Sequence, residues 1–370
     1  MKRFIFALLL LFFSNLVAKE YLSNKSCNEC HPDIYDEYKS SWHSKGYFND
    51  ELHHRAALKA PAYKCVKCHM PASSDKELLS DGKIKVPKKT KRNKDAISCF
   101  YCHQIAFVKE AHQSNNIMLA RQVEGIKPTL YGSLENPDSS DKHEMVKSPI
   151  YQKYACIGCH SHKRNENGVL IFRATNKGEG SKDCIKCHMP YIDGGVEKMN
   201  RKSRQKHRSH YFAGIHDEKM RQKSVDINVS SQKESIDINI TNKMGHPLIL
   251  QAARMKYLKI SLYRDGKEIW SNFKKDPRED KQGTFTIDYL DENGTITPVP
   301  FNATKRGFAN NLQAYESKIL HYKTPPLKKG DKIVVQMYVR LAKDVCIAAL
   351  GLGQKWQEPI LMKRVEFIVK

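Results

Sequence analysis

Ten of the eleven cysteines in this 370-residue chain fall in five copies of one short motif, Cys-x-x-Cys-His. Two thiols three residues apart can form thioethers with the two vinyl groups of one porphyrin, and the adjacent histidine then offers its imidazole to the iron. The spacing therefore predicts five covalently attached c-type hemes. The attachment cysteines are Cys27, Cys30, Cys65, Cys68, Cys99, Cys102, Cys156, Cys159, Cys184 and Cys187, and the proximal iron ligands are His31, His69, His103, His160 and His188.

Zinc sites and disulfides are the alternatives for so many cysteines. Zinc ribbons use paired Cys-x-x-Cys motifs, but they do not require a histidine after each pair. A disulfide framework, the usual interpretation of cysteines in an exported chain, does not require one either. Five repeats with histidine at the same place favour heme over both. Cys346 is left over in the apolar stretch VCIAAL, and we expect it to be a buried, unreactive thiol.

Sixth ligands for the five irons are expected among the eleven histidines outside the motifs. One candidate follows the first motif and another precedes the fourth. Two more are three residues apart, so on a helix they would share a face and could serve neighbouring hemes. The candidates are His43, His143, His210, His207, His112 and His54. His53 is adjacent to His54, and we expect only one of the two to ligate. His246 and His321 lie later in the chain, where we expect structural roles.

The N-terminus has the layout of a secretory signal peptide. Lys2 and Arg3 form a positive start, an unbroken apolar run follows from Phe4 to Phe13, and polar chain begins at Lys19. The run is short for a transmembrane helix. We therefore predict a signal peptide at residues 1–18 and a periplasmic protein without stable membrane insertion of the mature chain. An uncleaved anchor is the alternative.

The formal net charge of +23 is high. Such a charge often indicates a nucleic-acid partner, but export argues against one. Heme propionates and loss of the leader would lower the charge and still leave the protein basic. Two basic stretches stand out, at residues 83–94 and 198–208. They are either solvated loops or a docking surface for an acidic redox partner, and a membrane quinol-oxidising cytochrome is a second partner class.

The pattern of the chain changes near residue 224. Residues 19–220, which we call the motif region, show little hydrophobic periodicity beyond short helical runs such as Asp33 to Lys39, so hemes must fill much of the core. Residues 224–370, the β region, contain alternating stretches such as SVDINVSS, SIDINITN and KIVVQMYVRL. Asp265-Gly266 predicts a hairpin turn. The predicted fold is a multiheme cytochrome, mostly helix and loop, followed by an all-β antiparallel sandwich.

Several stretches of the motif region are similar to the multiheme cytochromes that include the tetraheme cytochromes of ammonia oxidisers, hydroxylamine oxidoreductase and pentaheme nitrite reductase. They are the opening CNECHPDIYDEYKSSWH, the CHMP sequences at His69 and His188, ISCFYCH, and SHYFAGIH. The resemblance covers roughly residues 23–250. Related proteins often continue into a β domain that opens with Gly-His-x-x-Pro-Thr-Gly, whereas this chain has Gly245-His246 followed by PLILQ.

The resemblance implies an electron-transfer protein or a related reductase. The nitrite reductases place lysine after one Cys-x-x-Cys pair, whereas all five motifs here end in histidine. Hydroxylamine oxidoreductase carries more hemes than this chain can attach. The preferred interpretation is therefore an electron carrier. The alternative is a terminal reductase of a small nitrogen or sulfur oxyanion, with one open heme.

We expect the purified mature protein to carry five hemes, because each motif supplies both thiols and a proximal ligand. Intact-mass measurement should show five heme additions. A thiol titration of the unfolded protein should find one free thiol, that of Cys346. Four or fewer hemes on fully matured protein, with correspondingly more free thiols, would contradict the prediction from motif spacing.

Overall fold

A computed structural model of the chain describes residues 21–123, 126–138, 140–175, 182–194 and 205–370. The predicted signal peptide and most of the basic stretch at 198–208 lie outside the described residues. Within those residues, no helix is both long and apolar enough to cross a membrane.

The helices of the motif region are short, and every Cys-x-x-Cys-His motif contains or adjoins one. Side-chain N-caps from Ser23, Asp50, Ser98 and Ser148 begin several of them. The helices are α1 (Asn24–Asn28), α2 (Pro32–Ser40), α3 (Gly46–Asn49), α4 (Glu51–Ala57), α5 (Ala62–His69), α6 (Lys76–Ser80), α7 (Lys91–Lys94), α8 (Cys99–His103), α9 (Pro149–Tyr154), α10 (Ile157–His160), α11 (Lys182–His188) and α12 (Glu218–Ser224).

Four two-stranded sheets lie between these helices, where the sequence predicted mostly helix and loop. The strands are β1 (Ile105–Lys109), β2 (Asn116–Leu119), β3 (Thr129–Gly132), β4 (Glu144–Lys147), β5 (His162–Arg164), β6 (Leu170–Arg173), β7 (Tyr191–Asp193) and β8 (Lys206–Arg208). They pair in sequence order, and only β3 with β4 is parallel. Several are too short for a periodicity of two to be visible in the sequence.

The β region contains two antiparallel sheets. Its elements are β9 (Val225–Gln232), β10 (Ser235–Asn242), β11 (Met255–Arg264), β12 (Lys267–Ser271), β13 (Thr284–Leu290), β14 (Lys305–Asn310), β15 (Ser317–Lys323), β16 (Lys332–Arg340), α13 (Asp344–Leu350) and β17 (Ile360–Ile368), with 3-10 turns at Pro277–Glu279, Pro300–Asn302 and Gln354–Trp356. One sheet has the order β15-β10-β9 and the other β14-β13-β11-β16-β17, with β12 on β11.

Both sheets contribute to one hydrophobic core. Ile236, Ile238 and Ile240 of β10 are fully buried, and they belong to the same cluster as Ile260 of β11 and Val335 of β16. Apolar residues alternate with polar residues along β10, and the apolar residues are buried. The antiparallel β-rich character of this region is confirmed, while the sandwich arrangement stays a prediction.

The predicted hairpin is present between β11 and β12. Asp265 and Gly266 have φ values of 48° and 77°, which is the left-handed conformation that a two-residue hairpin turn of type I′ needs at both positions.

The motif region and the β region share packing. Ile171 of β6 lies in the core of the β region. Tyr289 donates a hydrogen bond of 3.0 Å to the carbonyl oxygen of Leu170. The side-chain amide of Asn165 donates a hydrogen bond of 2.7 Å to the carbonyl oxygen of Ala303. These contacts fix the position of the β region on the motif region.

We expect residues 224–370 to fold without the motif region, because their core comes almost entirely from their own strands. The isolated fragment should give a β-rich circular dichroism spectrum and a cooperative thermal transition. In the fragment, Ile238→Ala should lower the free energy of unfolding by about 2–5 kcal/mol, the usual cost of truncating a buried isoleucine. Lys267→Ala on the exposed hairpin serves as the control. An unfolded fragment would show that this region needs Ile171 and its neighbours.

Candidate heme sites

Each motif places its two thiols and its histidine close together on a helical turn. In α5, for example, Cys65, Cys68 and His69 stand at positions i, i+3 and i+4, which are neighbours on one helix face. The other four motifs lie on or beside α1, α8, α10 and α11 in the same way. Every motif can therefore present two thiols and one imidazole to the same porphyrin.

Three of the predicted distal histidines face a motif histidine. The ring centroids of His31 and His143 are 6.3 Å apart, with an angle of 26° between the ring planes. Those of His103 and His210 are also 6.3 Å apart, at 27°. The rings of His43 and His160 are 6.0 Å apart and are inclined at 63°.

These separations fit an iron between the two rings. With a metal–nitrogen bond of about 2.0 Å on each side, two imidazoles on opposite sides of an iron have ring centroids about 6.3 Å apart. Directly stacked rings would lie closer together. The residues present therefore fit a six-coordinate heme at each of the three sites.

Hydrogen bonds set the tautomer of some of these imidazoles. The Nδ1–H group of His103 donates to the carbonyl oxygen of Tyr131 at 2.7 Å, and that of His210 donates to the carbonyl oxygen of Arg208 at 2.8 Å. In both rings Nε2 is left as the metal-binding atom, as is usual for ligating histidines. Burial also lowers the pKa of His43 and His210, each to about 3, so both imidazoles are neutral.

A segment near the end of the motif region organises two of these sites. Phe212 has a φ of 52°, an uncommon conformation for an aromatic residue. Its ring contacts His43 edge-on at 4.3 Å and lies 5.9 Å from His210. Glu37 accepts a 2.7 Å hydrogen bond from the backbone N–H of His210. The sequence analysis singled out this segment as a motif but assigned no role to Phe212 or Glu37.

A fourth pair joins the two regions of the chain. The rings of His188, in the last motif, and His246, in the β region, are 6.3 Å apart and nearly parallel at 15°. The sequence analysis expected a structural role for His246. The Gly245-His246 dipeptide in the family resemblance was a signal that could have identified it.

The remaining motif histidine, His69 of the second motif, has a different neighbour. The ring of His69 lies 4.3 Å from that of His53, which is too close for an iron between them. The Nδ1 atom of His53 is 2.6 Å from a carboxylate oxygen of Asp50, which also caps α4. These two rings therefore do not fit a bis-histidine iron site.

The remaining distal candidates are not placed opposite a motif histidine in the described part of the chain. His207 lies on strand β8, not on a helix shared with His210, and its Nε2 atom is 2.6 Å from Glu37. His112 is exposed. His54 packs edge-on against Tyr47, with 5.2 Å between ring centroids. The prediction that His207 and His210 share one helix face was wrong, because it assumed a helix where the chain forms strand β8.

Thiols of different motifs lie against each other. The thiol of Cys27 lies beside that of Cys99, and the thiol of Cys68 beside that of Cys159, close enough in each pair for one thiol to affect the pKa of the other. If each thiol attaches the edge of a porphyrin, the first and third motifs would bring two porphyrin edges together. The second and fourth motifs would do the same.

Comparison with known proteins agrees with this geometry. The family described as cytochrome c554 and c-prime matches residues 26–104. A penta-heme cytochrome c552 from Thermochromatium tepidum is 22% identical, and the alignment covers 94% of this chain and 99% of that one, with a TM-score of 0.71. The fold is that of a multiheme c-type cytochrome. Together with the family match, it supports covalently bound heme c in this chain.

Two further structural matches are too dissimilar to inform the fold. A β-glucuronidase from Bacteroides uniformis is 14% identical, and its alignment covers 39% of this chain and 12% of that one, with a TM-score of 0.17. A superoxide reductase is 10% identical, with 40% of this chain and 88% of that one covered and a TM-score of 0.18. No curated protein sequence gives a significant match.

Proposed function

We propose that this chain is an exported, periplasmic cytochrome that carries electrons through five covalently attached hemes. The observation that carries this proposal is the repeated placement of a second histidine 6.0–6.3 Å from a motif histidine. An iron with two imidazole ligands has no position free for a substrate, and it serves electron transfer. His143, His43 and His210 are the proposed sixth ligands opposite His31, His160 and His103.

Contacts between motifs support electron transfer within two groups of hemes, the first with the third and the second with the fourth and fifth. Bound heme supplies the iron that accepts and donates each electron. The chain's own contribution is to hold the attachment points together: Cys27 beside Cys99 in one pair, and Cys68 beside Cys159 in the other. Burial is the main cause that lowers the pKa of His43 and of His160, and the proximity of His188 to both imidazoles is a further cause. The fourth motif therefore neighbours both the second and the fifth.

A terminal reductase is the second candidate function, and the site at His69 favours it. A reductase needs one iron with an exchangeable position. His53 is held by Asp50 and lies too close to His69 to share an iron with it. The heme attached at Cys65 and Cys68 is thus the proposed location of an open iron, with a small nitrogen or sulfur oxyanion as the substrate class.

The carrier proposal predicts mostly low-spin iron. Electron paramagnetic resonance of the oxidised protein should show low-spin signals for at least four hemes, including those at His31, His103 and His160. His43→Ala should add a high-spin signal integrating to one heme, because the iron bound by His160 loses its sixth ligand. The reduced variant should bind one further equivalent of carbon monoxide. His112→Ala, which removes an exposed histidine, is the matched control.

Two outcomes would change these assignments. A His43→Ala variant with unchanged spin states and all five hemes would remove His43 from the ligand set. A high-spin heme in the unaltered protein that binds carbon monoxide and turns over an oxyanion would favour the reductase.

The loop at residues 83–94 is the proposed docking surface for an acidic redox partner, such as the acidic face of a membrane quinol-oxidising cytochrome. Its exposed basic side chains are Lys83, Lys85, Lys88, Lys89, Lys91, Arg92 and Lys94. The buried side chain of one loop residue holds the loop in place. The buried Asn93 side chain donates to Asp75 at 2.9 Å and to the carbonyl oxygen of Lys88 at 2.8 Å. A fixed array of like charges is suited to steer an acidic partner.

Electron transfer to such a partner should therefore depend on salt. The second-order rate constant should fall between low salt and 0.15 M, where exposed charges are screened beyond about 8 Å. The double variant Lys85→Gln/Lys89→Gln should lower the low-salt rate constant and flatten its salt dependence. Lys267→Gln/Lys329→Gln, which removes the same charge from the β region, should leave both nearly unchanged. Equal effects of the two double variants would contradict docking at this loop.

A further inference from the structure

His246 lies in the connection between β10 and β11, at the edge of the β region that meets the last heme motif. Its ring faces that of His188 at 6.3 Å and 15°, the same separation as in the pairs His31–His143 and His103–His210. Among these pairs it has the smallest angle between ring planes. The geometry is that of two imidazoles on opposite sides of one iron.

Both rings of this pair are oriented by a backbone carbonyl group. The Nδ1–H group of His188 donates to Ala213 at 2.5 Å, and that of His246 donates to Pro247 at 2.9 Å. In each ring Nε2 is therefore the atom with a free lone pair. A hydrogen bond to one ring nitrogen and a lone pair on the other are typical of an iron-ligating histidine.

The connection that carries His246 is anchored to the core of the β region. The fully buried side chain of Asn242 donates to the carbonyl oxygen of His246 at 2.9 Å and to that of Gln313 at 2.7 Å. On the other side, Lys256 donates to the carbonyl oxygen of Leu248 at 2.8 Å. These two hydrogen-bonding side chains, one on each side of His246, show that the β region itself holds the imidazole in position.

The other histidine of the β region has no such placement. His321 is exposed on β15, and its Nδ1 atom is 2.8 Å from a carboxylate oxygen of Asp237. It therefore offers a matched comparison within the same region.

We propose that His246 is the sixth ligand of the iron attached at Cys184 and Cys187, so that the β region completes a heme site of the motif region. This inference rests on the proposed attachment of a heme at each motif. It gives the β region a defined part in electron transfer: it closes the iron bound by His188 to small ligands and fixes that iron's coordination. Asn242 acts as a positioning residue for His246.

The test compares His246→Ala with His321→Ala in the full-length holoprotein. Tryptic mapping first establishes whether the Cys184–Cys187 peptide carries heme in all proteins. The His246→Ala variant should show one more high-spin heme than the unaltered protein and should bind one more equivalent of carbon monoxide when reduced. Added imidazole should restore the low-spin signal. His321→Ala should match the unaltered protein in every measurement.

A conservative variant keeps the proposal testable if His246→Ala fails to fold. His246→Met retains a ligand for the iron, so that heme should stay low-spin, acquire the near-infrared band of histidine–methionine ligation, and titrate at a higher potential. Unchanged spectra and potentials in a five-heme His246→Met protein would overturn the assignment of His246 and leave the five-heme proposal intact. A heme-free Cys184–Cys187 peptide in the unaltered protein would overturn both.

Discussion

The distance between two imidazoles that share an iron is the constraint on which the motif region depends. Bonds of about 2.0 Å on each side fix that distance, and the histidines that satisfy it come from distant parts of the chain. His143 and His31 are far apart in sequence, as are His210 and His103, yet both pairs have the same ring separation. Because the motif helices have only one or two turns, we attribute their relative positions to these long-range pairs and to the proposed heme attachment more than to helix packing.

The two regions differ in what can fill a core. The β region buries a continuous cluster built from both of its sheets, whereas the described motif region has smaller clusters, around Tyr47 and Met70 and around Ile105 and Ile157. A chain with so little apolar mass between its loops needs another source of buried surface. Five porphyrins would provide it, as metal and cofactor sites do in other small domains that fold around them.

The sequence was informative where the signal is local. A Cys-x-x-Cys-His motif carries its whole chemistry in five residues, and strand β10 shows its buried face in its own alternation. Distal ligands could not be predicted in this way, because no local sequence pattern around His246 indicates which motif histidine its ring will face. His207 illustrates the opposite failure: three-residue spacing was interpreted as helical, but the segment is a short strand and the imidazole binds Glu37. Strands β13, β14 and β15 were also not identified, because their pairing is visible only in the sheets.

The site at His69 differs from the other motif histidines in a way that bears on function. Wherever a motif histidine faces a second imidazole across about 6 Å, the chain has placed both rings for one iron. At His69 the nearby imidazole is instead held to a carboxylate, and Asp50 is simultaneously the N-cap of α4. Asp50 therefore binds both the imidazole of His53 and the first turn of α4. Moving His53 toward a position opposite His69 would break a hydrogen bond to this buried carboxylate, which is costly. The N-cap of α4 therefore holds His53 in a position that does not fit a bis-histidine iron with His69. If the four facing pairs each bind one iron, a carrier and a reductase built on this chain would differ only in the coordination of the iron attached beside His69, so that coordination decides between the two proposed functions.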